Sequence, residues 1–249
     1  MSPLFPGGVA VSSLRVYDWE SEDGLRGGSP HLHTASSEGY VVTAGSGEVH
    51  TVSAEGRGSS AERASASRSV RRLEPGEVVW FSPGTVHRLV NHGGLELVVV
   101  MQNAGLPEAG DAVLTFPAEV LDDPKAYVRA ATLPAGSEDE RAAAARARRD
   151  LAVRGYLELL DDLESRGPAA LAELHARAAR LVQPRVAQWQ RLWESTVAAE
   201  TARTRDQLES LADGMPGLLA DAAVERGERR DGPRAFGMCG RLRTWDWPT

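Results

Sequence analysis

The chain of 249 residues is 42% hydrophobic and 25% charged, which is typical of a globular protein with a substantial core. Its formal net charge of -7 argues against a dominant nucleic-acid or anionic-membrane surface, because such surfaces depend on clustered cations. The single cysteine, Cys239, excludes an intramolecular disulfide and is compatible with a reducing compartment.

The hydropathy of the chain indicates neither export nor membrane insertion. Residues 1–13 lack the basic segment and the apolar core of a signal peptide. The longest strongly apolar run, residues 97–101, is far too short to cross a bilayer. We therefore expect a cytoplasmic protein with no membrane partner.

The first half of the chain is a succession of predicted strands. Alternating or β-branched residues between glycine and proline turns predict strands at 14–19, 40–43, 48–52, 69–73, 78–81, 87–90 and 95–103. Residues 45–47 and 91–94 are predicted to be hairpin turns, and 54–67 a surface loop. Residues 112–116 could be one more strand or a segment that crosses to a partner subunit. No helical pattern precedes Pro117, so residues 1–117 are predicted to be an antiparallel sandwich or barrel.

Helical patterns follow Pro117. Asp123 and Pro124 predict the start of a short helix that ends near residue 132. Ser137 and Glu140 have the form of a capping box and predict a long helix to residue 166. Further helices are predicted at 169–181 and 184–214. The chain is thus divided into a β domain (1–117), a helical region (118–215) and a loosely structured tail (216–249) that ends in a tryptophan-containing docking segment.

Four potential metal ligands lie in two stretches of the β half. His31 and His33 are two residues apart, so on a strand both rings project from one face. Glu38 begins the next predicted strand and can point the same way. His87 would join them from a strand that is distant in sequence but adjacent in space. Imidazole and carboxylate groups are ligands that first-row divalent metals accept.

These stretches resemble the two motifs of the cupin superfamily. The first is His31-x-His33, four residues, Glu38, six residues and a glycine; the second is Gly76, residues 83–87 and Asn91. Leu25 and Ser82 depart from the motifs but touch no ligand position. The resemblance implies a small antiparallel β-barrel of the cupin, or double-stranded β-helix, type. It also implies a divalent metal ion (Fe, Mn, Ni or Zn) held by His31, His33, Glu38 and His87.

Strand parity suggests which side chains face the predicted metal. Tyr40 shares the face of Glu38, whereas at the end of the last strand either Gln102 or the pair Met101 and Asn103 points inward. An aromatic wall is expected from Trp80 or Phe81. Because no second carboxylate occupies a motif position, Tyr40 and Gln102 are the candidate catalytic groups.

The resemblance implies several activities, among them those of dioxygenases, isomerases, epimerases and decarboxylases, and fold alone does not choose between them. We predict a metal-dependent oxidoreductase of the dioxygenase type, or an isomerase, that acts on a small polar metabolite. The alternative is a non-catalytic binding or sensor protein whose helical region is an interaction surface. We also expect a homodimer. No nucleic-acid partner is expected, because acidic residues outnumber the arginines in the predicted helix at 138–166.

Overall fold

The structure, a computed structural model, describes residues 5–55 and 65–246. The loop expected at 54–67 therefore lies largely outside the described residues, and so does Trp247 of the expected docking segment. Within the described ranges the chain is a large antiparallel sheet followed by helices, which confirms the predicted mainly β fold with a helical extension.

Among the described residues, nine strands form one sheet, all paired antiparallel, in the order β4-β3-β6-β1-β10-β9, with β5 beside β3 and β2 between β6 and β7. Their bounds are β1 (Ala10–Val16), β2 (His31–His33), β3 (Glu38–Glu55), β4 (Ser65–Leu73), β5 (Val78–Phe81), β6 (Val86–Met101), β7 (Ala112–Leu114), β9 (Ala235–Phe236) and β10 (Gly240–Arg243). A separate ribbon pairs β8 (Glu228–Arg229) with β11 (Trp245–Asp246). Closure of the sheet into a barrel stays a prediction.

The two predicted hairpins at residues 45–47 and 91–94 are wrong. β3 and β6 each run through these positions as one long strand, and the two strands stay paired on both sides of a set of register shifts. The glycines serve the close approach of the strands, since a Cβ on Gly45 would lie 2.2 Å from the carbonyl carbon of Gly94. Bulges of this kind bend a strand without ending it.

The helices follow the predicted pattern closely. They are α1 (Ala118–Leu121), α2 (Pro124–Ala131), α3 (Glu138–Arg166), α4 (Pro168–Val182), α5 (Val186–Trp193) and α6 (Ala199–Ala212). Asp123 caps α2 through the backbone N–H of Lys125, and Ser137 and Glu140 form the capping box of α3. A single π-helical turn, Glu194–Ala198, joins α5 to α6, so the last predicted helix is interrupted rather than continuous.

The helical region packs on the sheet near β2 and β7. A core of leucine, valine and aromatic side chains joins Leu32 and Leu114 of these strands to Tyr156 of α3 and Leu174 of α4. Gly155 lets α3 approach the chain after β7, because a Cβ there would lie 2.3 Å from the carbonyl oxygen of Thr115. α3 therefore packs directly against the segment that follows β7.

Part of the C-terminal tail pairs with the sheet. Its strand β10 pairs with β1 from Ser13↔Arg243 to Val16↔Gly240, and Phe236 is buried. The Tyr17 hydroxyl donates a hydrogen bond to the carbonyl oxygen of Gly237 at 3.0 Å. Residues 235–243 are therefore part of the sheet. In the described part of the chain no helix combines the length and hydrophobicity that a membrane span requires.

Candidate metal centre

His31, His33, Glu38 and His87 converge at one buried position. One ligand atom from each lies within 4.8 Å of the others, and all four side chains are buried. His31 and His33 come from β2, Glu38 opens β3, and His87 stands opposite His31 in the pairing of β2 with β6. The structure thus brings together all four residues that the sequence proposed as metal ligands.

Each imidazole ring is fixed through its Nδ1 atom. His31 Nδ1 lies 2.9 Å from the carbonyl oxygen of Ser29, and His87 Nδ1 lies 3.2 Å from that of Thr85. His33 Nδ1 lies 2.7 Å from Asp111 Oδ1. A carbonyl oxygen only accepts, so Nδ1 of His31 and His87 must carry the hydrogen and their Nε2 lone pairs are left to face the cluster.

The inner faces of the ligands lack a complement of hydrogen bonds. His31 Nε2 and His87 Nε2 are 3.1 Å apart, and two lone pairs at this distance repel unless a proton or a metal ion lies between them. Glu38 Oε2 lies 2.9 Å from His87 Nε2 and 3.3 Å from His33 Nε2, yet it has no aligned hydrogen-bond donor in the described part of the chain. Ligand atoms bonded to one ion at about 2.1 Å stand about 3 Å apart when they are at right angles. The donor types and spacings therefore fit a divalent metal ion.

The electrostatics of the cluster also favour a cation. Burial disfavours the imidazolium of His33, but the hydrogen bond to Asp111 and the nearby carboxylate of Glu38 outweigh burial and raise the pKa of His33 to about 10. Burial would raise the pKa of Glu38, yet His87 and His33 hold it well below its usual value. Burial and the neighbouring rings of His87 and His33 hold the pKa of His31 well below its usual range. Without a metal ion, Glu38 is therefore a carboxylate and His31 a neutral imidazole, while His33 carries a proton that a metal ion would have to displace.

The two candidate catalytic residues lie in different surroundings. Tyr40 is fully buried behind the cluster, where burial, with a smaller effect from Glu38, raises the pKa of its hydroxyl well above the usual value. Gln102 does not join the cluster: its side chain is exposed, and its amide oxygen accepts a hydrogen bond from the Ser37 N–H at 3.3 Å. At the end of β6 it is Met101, not Gln102, that faces inward.

The expected aromatic wall comes from Phe81. Its ring stacks on His87 with centroids 4.6 Å apart and planes inclined by 16°. Trp80, the neighbouring candidate, is 74% exposed on the other face of β5. The alternation of a strand accounts for the choice, because Phe81 stands opposite Glu38 in the pairing of β5 with β3.

A cavity of about 330 Å³ opens beside the cluster, within the size range of small-molecule sites. His31, His33 and Glu38 form one side of it. Val99 and Met101 of β6 extend this side with apolar surface. The remaining lining, called the tail side, comes from β1, from residues 236–239 of the tail and from Arg148 of α3. The tail and the helical region therefore contribute directly to the space where a ligand would sit.

Three residues of this site escaped the sequence analysis. Asp111 is fully buried and positions His33, but before the fold is known it is one acidic residue in a loop. Cys239 places its sulfur 3.9 Å from His31 Nδ1, and Arg148 lines the cavity from a helix. None of these three residues lies within either motif, so spacing carries no signal for them.

The fold and the site together define a class of protein. It is an antiparallel β protein whose interior holds three histidines and one glutamate in an arrangement that fits a metal ion. Residues 20–121 match the family model described as Cupin. The match covers the four clustered residues and ends at α1. No curated protein sequence matches the chain significantly.

Several solved structures match this chain at low similarity. A conserved protein with a double-stranded β-helix domain from Klebsiella pneumoniae is 20% identical, with 42% of this chain and 75% of that chain covered and a TM-score of 0.29. A predicted oxalate decarboxylase from Thermotoga maritima is 20% identical, with 38% and 64% covered and a TM-score of 0.25. A tryptophan-to-tyrosine variant of oxalate decarboxylase from Bacillus subtilis is 17% identical, with 50% and 28% covered and a TM-score of 0.34. The chain thus spans less than two thirds of both decarboxylases, and similarity at these levels carries no argument about activity.

Proposed function

We propose that this protein is a metal-dependent enzyme of the oxygenase or isomerase type that acts on a small polar metabolite. The observation that carries the proposal is the set of three imidazoles, each anchored at Nδ1, whose Nε2 atoms converge with Glu38 at the wall of a cavity. His31, His33, Glu38 and His87 would hold the ion. The donor set suits Fe, Mn, Ni or Zn and does not choose among them.

A divalent ion at this position would supply Lewis acidity or redox chemistry to a substrate oxygen. The chain itself supplies the other elements of a reaction site. The carbonyl oxygens of Ser29 and Thr85 keep two of the rings in one tautomer and one orientation. Val99 and Met101 give the cavity an apolar side that limits the water around a bound ligand.

Tyr40 remains our candidate for a proton donor. Its raised pKa keeps the hydroxyl protonated at neutral pH, and Glu38 is its nearest charged neighbour in the cluster. Gln102 is not part of the proposal, because its side chain is exposed and engaged with Ser37.

The ligand assignment is tested by metal content. We expect His33→Ala or His87→Ala to reduce metal affinity roughly a hundredfold or more, because each change removes a directly coordinating nitrogen. Elemental analysis of untagged protein after gel filtration measures the effect and also identifies the ion. His92→Ala is the matched control, since His92 is 48% exposed and lies beside Glu48. Unchanged metal content in the His33 and His87 variants would refute the assignment.

Catalysis is tested by turnover. A panel of small polar metabolites, assayed before and after treatment with a chelator, should contain a compound that is converted only by the metal-loaded protein. Metal-dependent binding without conversion of any compound would instead support a sensor. The exposed Leu208, Leu211 and Leu219 on and after α6 favour this second function, because they leave the helical region with apolar surface for a partner.

A cytoplasmic homodimer that binds no nucleic acid remains part of the proposal. Exposed Val70, Val78 and Trp80 on the neighbouring strands β4 and β5 offer an apolar surface on which a second copy could pack. Their exposed fractions range from 48% to 74%.

A further inference from the structure

Arg148 is the permanent cation among the described residues that line the cavity. Its side chain reaches the cavity from α3, which lies outside the residues matched by the family model. The carboxylates of the wall are Glu38, in the cluster beside His33, and Glu108, which is exposed and accepts a hydrogen bond from the Gly105 N–H at 2.9 Å. The helical region therefore brings a positive charge to a wall that is otherwise mainly apolar.

The charge of Arg148 has no partner of opposite sign within the described ranges. Its NH1 donates to the carbonyl oxygen of Ala131 at 3.2 Å and its NH2 to that of Gly237 at 2.6 Å. These neutral acceptors satisfy two of its donors but do not neutralise its charge. Its Nε is buried and has no hydrogen-bond partner in the described part of the chain.

Two fully buried arginines of the described chain, Arg88 and Arg149, each have an acidic partner, unlike the partly buried Arg148. Arg88 forms an ion pair with Asp23, and Arg149 Nε lies 2.8 Å from Asp150 Oδ1. A cation that loses part of its hydration is costly unless it is paired, so an unpaired, partly buried arginine at a cavity wall is suited to a counter-charge from a ligand. Desolvation accordingly lowers the pKa of Arg148 from its usual value, while the group stays protonated at neutral pH.

We propose that Arg148 is the anion-recognising residue of this cavity and that the ligand is a small carboxylate. The planar guanidinium group matches the geometry of a carboxylate, and the cavity of about 330 Å³ suits a compact acid. The inference deepens the proposed function, on which it rests for the opposite end of the ligand: an oxygen next to the carboxylate would face His31, His33 and Glu38. Hydroxy and oxo acids have this arrangement.

Binding of matched acid and amide pairs tests the inference. Lactate and lactamide, together with acetate and acetamide, have nearly equal sizes and differ in charge, so calorimetry with each pair isolates recognition of the anion. We expect the wild-type protein to prefer the acids, both as purified and after chelator treatment. Arg148→Gln should reduce that preference roughly tenfold to a hundredfold, because a hydrogen-bonded charge pair is lost. Arg148→Lys, which keeps the charge but not the fork, should fall between the two.

Arg154→Gln is the matched control, because Arg154 lies on the same helix with an exposed side chain outside the cavity. The thermal unfolding and metal content of every variant are measured in parallel, so that a folding defect in Arg148→Gln is recognised and the Arg148→Lys result then decides. Equal binding of acids and amides by the wild type, an unaltered preference in both Arg148 variants, or no binding of any acid would overturn the inference. Metal content is an independent readout. If the wild type shows no anion preference but normal metal content, the inference about Arg148 fails and the proposed function stands. If metal is absent but the anion preference is retained, the proposed function fails and anion recognition by Arg148 stands.

Discussion

The two sides of the cavity differ in how their side chains are held. On the motif side, His31 and His87 are anchored by carbonyl oxygens only two residues away, those of Ser29 and Thr85. On the tail side, the lining is held by contacts between segments far apart in sequence. Gly237 of the tail, for example, accepts hydrogen bonds from Tyr17 of the N-terminal segment and from Arg148 of α3.

This difference explains why one side carries a sequence signature and the other does not. A ring oriented by its own strand needs only a fixed local spacing, and a spacing can be recognised in a sequence. A wall assembled from distant segments depends on tertiary packing, for which many different residues would serve. The four clustered residues are therefore specified by local spacing, and the tail side of the cavity is specified by tertiary packing. Substitutions on one side should leave the properties of the other side unchanged.

On the tail side of the cavity, the largest expected loss of stability comes from Phe236→Ala. Phe236 is 8% exposed and packs near Trp19. The guanidinium carbon of Arg241 lies 3.8 Å from the centroid of the Phe236 ring. Removal of a buried aromatic ring should lower the free energy of unfolding by about 3 kcal/mol. Metal content should stay unchanged, because the four clustered residues belong to other strands. Denaturant unfolding together with elemental analysis measures both quantities.

Val224→Ala is the control for this prediction, since Val224 is 99% exposed in the same C-terminal part of the chain. A loosely structured tail would respond to Phe236→Ala as to a surface substitution, with a change of roughly 0.5 kcal/mol or less. That result would contradict the role of the tail as a fixed wall. A parallel loss of metal would show that the two sides of the cavity are not separable.

A smaller effect is expected from Gly155→Ala, and here sequence and structure predict opposite signs. Helix propensity alone favours alanine in α3 by roughly 1 kcal/mol. In the fold, a Cβ on Gly155 would lie 2.3 Å from the Thr115 carbonyl oxygen and 2.4 Å from the Phe116 carbonyl carbon. Both are backbone atoms that cannot rotate away, so we expect a destabilisation of about 1–3 kcal/mol, measured by denaturant unfolding.

Arg154→Ala provides the matched control for Gly155→Ala, because it adds alanine to an exposed position one residue earlier in α3. An increase in stability for Gly155→Ala would mean that α3 does not press against the chain after β7. The inward placement of Arg148 by the same helix would then lose its structural support.

Much of the architecture could be predicted from local chemistry. The capping box of Ser137 and Glu140 and the proline at the start of α2 indicated helices that the structure contains, because these signals act within one turn. The four clustered residues were proposed correctly as a group for the same reason, since strand alternation fixes the side of His31 and His33.

The errors arise where a local signal has more than one tertiary use. Glycines at 45, 47, 93 and 94 are typical of hairpin turns, but in this fold Gly45 and Gly47 let β3 approach β6 closely at a bend. Parity at the end of β6 was ambiguous until the pairing of Glu38 with Met101 placed Gln102 on the exposed face. Arg148 was one arginine among many on a long polar helix, and only the tertiary fold brings it to the cavity.

The smallest predicted effect lies on the motif side, at the one ligand that is anchored from a distance. Asp111→Asn should weaken metal binding roughly tenfold, or about 1.4 kcal/mol, because the carboxylate that raises the basicity of His33 is replaced by a neutral amide. In metal-free protein the pKa of His33 should fall below its present value of about 10, since hydrogen bonding to Asp111 is what raises it most. Metal titration and histidine NMR measure the two changes. Glu108→Gln, on the same loop but exposed, is the control and should leave both quantities unchanged. An unaltered metal affinity in Asp111→Asn would show that β2 alone holds His33 in place. His33 would then be positioned by its own strand, as His31 and His87 are by theirs.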